Sequence, residues 1–183
     1  MAVGPSTLSL LGSVAYLGAM AAAAAAAWSG HQHSRPHLEI RHWVIMAGFL
    51  LILAAMRYWQ VEEVLRQDLR KILISDGLYQ GRRAFQSVLA VLCLVSGVIA
   101  AIFFVQRLLG TRRGLLLRLV WWSRLAMLGM AGLIALRLIS LHAIDALLYG
   151  GFRLNWVLDL GMTGVMGGAA LIYAFRACNQ VRP

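Results

Sequence analysis

Residues 137–159 read RLISLHAIDALLYGGFRLNWVLD and place Arg137, Ser140, His142, Asp145, Arg153, Asn155 and Asp159 between one apolar run and the next. Ionisable side chains are costly inside hydrocarbon, so such a cluster is by default a functional-site hypothesis. Its meaning depends on what the flanking apolar runs are.

The composition answers that. Of 183 residues, 61% are hydrophobic and 13% charged, whereas a soluble domain is about half apolar and about a quarter charged. A spanning helix needs roughly 20 predominantly apolar residues. Five stretches qualify: residues 7–29, 42–60, 85–109, 116–147 and 155–176. They use most of the chain and leave no room for a soluble domain. The sequence predicts one all-α domain over residues 1–183, an integral membrane bundle of five transmembrane helices.

Between the second and third stretches, Val61, Val64, Leu65, Leu69, Ile72 and Leu73 recur at the 3.6-residue period, opposite Glu62, Glu63, Arg66, Gln67 and Lys71. Residues 61–75 are therefore expected as an amphipathic helix lying on the membrane plane. The alternative, in which the second span extends into water, stays open. The first span ends in the run Ala21–Ala27, small side chains that suit close helix contact. Gly161, Gly164 and Gly168 in the fifth span suit it as well.

The net charge is +10, yet the arginines sit at helix ends rather than in one stripe. That pattern argues against nucleic acid and for anchoring against anionic lipids of the bilayer. Cys93 and Cys178 form neither a disulfide framework nor a CxxC site. The first residues, MAVGPSTLSLLG, lack the basic region of a secretory signal. With the N-terminus periplasmic and the C-terminus cytoplasmic, nine basic residues fall inside and eight outside. The short basic turn GTRRG, placed inside, favours this orientation. A bacterial inner membrane is the expected location.

His31, His33 and His37 lie in the first loop, GHQHSRPHLEIR, close to His42. A histidine-rich tract can bind a transition metal. A polar turn at headgroup level is the favoured reading, because no HxxxH falls on an assured helix.

Helix ends alternate sides, so segments remote in the chain meet at one level. Arg57, Glu62, Glu63, Arg83, Gln86, Arg137, His142, Asp145, Asn155 and Asp159 share one side of the predicted bundle. His142 and Asp145 are about 60° apart around their helix. One reading pairs Arg57 and Arg137 with Asp145, Asp159 or Glu63, because buried charge must be paired. A second binds an anionic headgroup or small molecule through the arginines. A catalytic reading would use His142 as base, but Ser140 diverges from it by about 200°. A fourth uses His142 as ligand of a pigment or haem. The other histidines sit on the opposite side, which argues against bis-histidine haem and leaves a single axial bond to a bacteriochlorophyll magnesium. No cofactor is assigned.

The segments GLYQGRRAFQ (Gly77 to Gln86) and RLISLHAID (Arg137 to Asp145) resemble a family of uncharacterised bacterial polytopic inner-membrane proteins. The shared patterns are Tyr-x-x-Arg-Arg-x-x-Gln and Arg-x-x-Ser-x-His-x-x-Asp. The resemblance implies that Tyr79, Arg83, Gln86, Arg137, His142 and Asp145 act together, and it brings no activity. The expected function is that of a non-catalytic accessory or scaffold subunit, with other membrane subunits as partners. A transporter or membrane enzyme using the polar cluster is the alternative, as is a pigment- or haem-associated subunit.

Overall fold

A computed structural model describes residues 7–61, 82–109, 114–139 and 154–179. They form five helices: α1 (Thr7–Gln32), α2 (His37–Tyr58), α3 (Arg82–Leu109), α4 (Leu115–Ile139) and α5 (Leu154–Asn179). No strand occurs among the described residues.

Four segments are long and apolar enough to cross a membrane: Leu10–Gln32, His37–Tyr58, Leu115–Leu136 and Trp156–Asn179. In α3 the apolar stretch among the described residues is the shorter Val95–Gln106. The expected interfacial helix lies outside the described residues except for Val61, as do the core of the GTRRG turn and residues 140–153.

Helix α1 packs against both α2 and α5, α5 packs against α4, and α2 meets α4 more narrowly. These four helices enclose the core. Helix α3 lies outside that group, against α4.

The alanine run explains the central place of α1. Ala19, Ala22, Ala23, Ala26 and Ala27 are buried, whereas Ala21, Ala24 and Ala25 are exposed. This is the 3.6-residue period of one packed stripe. Side chains this small let backbones approach. Larger residues fill the interior from the other helices: Trp43, Met46 and Leu50 of α2, Val120 and Met130 of α4, and Met166 and Tyr173 of α5 are fully buried.

The close approach on α5 falls on Gly167. A Cβ there would lie 3.3 Å from the Cβ of Ala19, whereas at Gly161, Gly164 or Gly168 it would meet no atom within 4 Å. Within the described chain, a Cβ at Gly164 or Gly168 would therefore touch no neighbour. Alternation of burial around α5, with Met166 and Gly167 inward and Gly164 outward, sets that difference.

The α1–α2 connection is shorter than the sequence suggested. The Arg35 N–H donates to the Gly30 carbonyl at 3.0 Å and the Ser34 N–H to that of His31 at 3.3 Å. With Ser34 at φ 49°, this is a Schellman cap, the commonest way to satisfy the last carbonyls of a helix. Pro36, with its fixed φ, then opens α2 directly at His37. Helix α2 thus begins five residues before the expected 42, and His42 lies inside it. An L-residue in the left-handed region is strained where glycine is not. Ser34→Gly is expected to raise stability by up to about 1 kcal/mol, measured by unfolding of the detergent-solubilised protein.

Candidate functional site: an ion pair inside the bundle

Helix α2 ends with Arg57, Tyr58 and Trp59, an arrangement suited to the membrane interface. Tyr58 and Trp59 point outward, but Arg57 turns in. It crosses α1 at Gly12, where a Cβ would stand 2.6 Å from its Nε. The missing side chain there is what gives the guanidinium its path.

Arg57 Nη1 donates to Asp159 Oδ2 of α5 at 2.5 Å and to the Tyr16 hydroxyl of α1 at 3.2 Å. The Tyr16 hydroxyl in turn donates to Asp159 Oδ1. The Trp156 ring lies 4.8 Å from the guanidinium carbon, within cation–π range. Three helices therefore meet at one charge pair. Spacing brings the parts together: Gly12 and Tyr16 are four apart on α1, and Trp156 and Asp159 three apart on α5, so each couple shares a helix face.

The side chain of Asp159 is 3% exposed and that of Arg57 is 18%. A carboxylate so enclosed needs a cation and hydrogen-bond donors, and both its oxygens accept from inside the bundle. Chemically this is a tie between helices.

Of the residues expected in the polar cluster, the structure brings Arg57 and Asp159 together. Glu63, His142 and Asp145 lie outside the described residues. Arg83 and Gln86 belong to α3, Arg137 to α4 and Asn155 to α5, but their side chains lie outside the described ones. Tyr16 and Trp156 escaped sequence reading. Each looked like an ordinary aromatic of an apolar segment, and their polar role depends on which helix stands opposite.

The other end of the bundle has ties of its own. His42 Nε2 of α2 is 2.7 Å from Ser123 Oγ of α4. The Tyr173 hydroxyl of α5 donates to Glu39 Oε2 of α2 at 2.7 Å, and the Tyr173 ring packs on Trp43 at 5.0 Å between centroids. Ser29 Oγ of α1 donates to the Ala174 carbonyl of α5 at 3.1 Å. His42 was expected at headgroup level. It is buried because α2 starts early and turns that face inward.

His31 and His37 are exposed, and His33 Nδ1 lies 2.8 Å from the Ser29 carbonyl. Among the described residues, no three His, Cys, Asp or Glu side chains are grouped to hold a metal ion.

No family model, no curated protein and no solved structure matches this chain.

Proposed function

We propose that this chain is a non-catalytic multi-pass membrane protein that serves as an accessory or scaffold subunit of a larger membrane assembly. It crosses a bacterial inner membrane five times, N-terminus outside, with residues 61–75 resting at the surface. One observation carries the reading: four of the six buried polar side chains among the described residues bond across helices. Ser29, His42, Ser123 and Asp159 hydrogen-bond across helix pairs, and Thr163 bonds the Asp159 carbonyl one turn back. Buried groups committed in this way rigidify a structure and specify its register. They are poorly suited to exchanging protons with a substrate.

Helix α3 supports the assembly role. Val91, Leu92, Val95, Val98, Ile99, Ile102 and Phe103 are exposed in the isolated chain. In a membrane such a surface is met by lipid or by the helices of another subunit.

Purification from the native membrane in mild detergent, followed by native mass spectrometry, tests the proposal. The expected mass exceeds the 20.1 kDa of one chain by that of stoichiometric membrane subunits. A bare monomer under conditions that preserve other complexes of the same membrane would overturn it.

A further inference from the structure

A cavity of about 420 Å³ opens among α2, α3 and α4, at the end of the bundle opposite the Arg57–Asp159 pair. That volume is in the range of small-ligand sites. Its two ends differ in chemistry. At one end stand Arg41 and Arg124; at the other, Phe49 and Ala131 close an apolar trough.

The register follows from helix geometry. His42 of α2 bonds Ser123 of α4, which sets the N-terminal portions of the two helices side by side. Phe49 and Ala131 come seven and eight residues later respectively, about 10–12 Å along the axes. Phe104 of α3 forms part of the wall and is held by its edge contact with Trp121, 5.2 Å between centroids. The trough therefore runs along the helix axes, as an acyl chain does in a bilayer.

The Arg124 guanidinium at the charged end lies 5.2 Å from the centre of the Trp121 ring. Arg41 is exposed and Arg124 half-buried, and they stand close enough to repel. Glu39 acts on Arg124 electrostatically, but its Oε2 already accepts from Tyr173. Arg41 is four residues from the start of α2, about 6 Å, near the end of a segment long and apolar enough to cross a membrane. Two guanidinium groups beside an apolar trough match a phosphodiester joined to a hydrocarbon chain.

We propose that this cavity binds one anionic glycerophospholipid of the surrounding bilayer, its phosphate between Arg41 and Arg124 and part of one acyl chain against Phe49, Phe104 and Ala131. The site lies apart from the polar cluster and does not depend on the scaffold role.

The full-length protein in mild detergent, titrated with dioleoyl phosphatidylglycerol or dioleoyl phosphatidylcholine and followed by native mass spectrometry, provides the test. Phosphatidylglycerol is expected to bind about tenfold or more tightly than phosphatidylcholine, because its headgroup keeps a net negative charge beside the two guanidinium groups. Arg41→Gln with Arg124→Gln removes that preference. Arg118→Gln with Arg176→Gln, at the same end but outside the cavity lining, keeps it. Ala131→Trp, which fills the trough, weakens both lipids while the helical circular dichroism stays unchanged. Equal binding of the two lipids overturns the proposal, as does equal loss of preference in the two double variants, which would indicate a general lipid annulus. Displacement by glycerol phosphate alone at matched concentration would show a bare anion site and also overturn it.

Discussion

Arg57→Ala is expected to destabilise the bundle by about 3–5 kcal/mol, the cost of stranding one member of a buried ion pair. The two partners should differ. Removing Arg57 leaves a carboxylate whose side chain is 3% exposed, whereas removing Asp159 leaves a guanidinium that is 18% exposed. Arginine has a long stem and sits in the last turn of α2, so it can extend toward the interface. Asp159→Ala should therefore cost less than Arg57→Ala. The combination Arg57→Met, Asp159→Leu and Tyr16→Phe should recover most of the loss, since apolar residues often replace buried ion pairs without penalty. Unfolding in mixed detergent and dodecyl sulfate micelles, followed by tryptophan fluorescence, measures all of these. Indistinguishable curves for wild type and Arg57→Ala would show that the pair does not hold α1, α2 and α5 together.

Ala23→Leu and Ala26→Leu should each destabilise by about 1–3 kcal/mol or more, because extra carbons in a filled interior force neighbours off their preferred geometry. Both alanines are 0% exposed, and α1 packs against both α2 and α5, so a larger side chain at either position must displace its neighbours. Ala25→Leu is the control. It is exposed, and a surface substitution of this kind should stay within about 0.5 kcal/mol of wild type. If Ala25→Leu were as harmful as Ala23→Leu, the loss would come from helix propensity or expression rather than packing. The same micelle unfolding assay separates the two faces.

The pairing of Arg57 with Asp159 also bears on how such a chain reaches one arrangement. Lipid tails are as apolar as leucine, so burial alone gives helices little reason to prefer one neighbour. Side chains such as Tyr16, Asp159, His42 and Ser123, bonded across helices, select both neighbour and register. The alanine stripe then admits close contact, and the polar ties decide where along the helices it occurs.

Composition and apolar run length were enough to predict a helical chain with segments long and apolar enough to cross a membrane, because a lipid environment demands long, internally hydrogen-bonded apolar segments and leaves few alternatives. The alanine run was also legible as a packing face, since small side chains admit close contact. Seven identical residues carry no period, however, so only the structure showed which of them form the buried stripe. The alternation of helix ends already allowed Arg57 to pair with Asp159. Tertiary structure alone decided that the guanidinium crosses Gly12 and that Tyr16 joins the pair, that Gly167 is the glycine that meets Ala19, and that Arg41 and Arg124 share a cavity. Each depends on which helix stands opposite and at what height. A side chain's own segment carries no record of that; it arises only when separate helices are brought together.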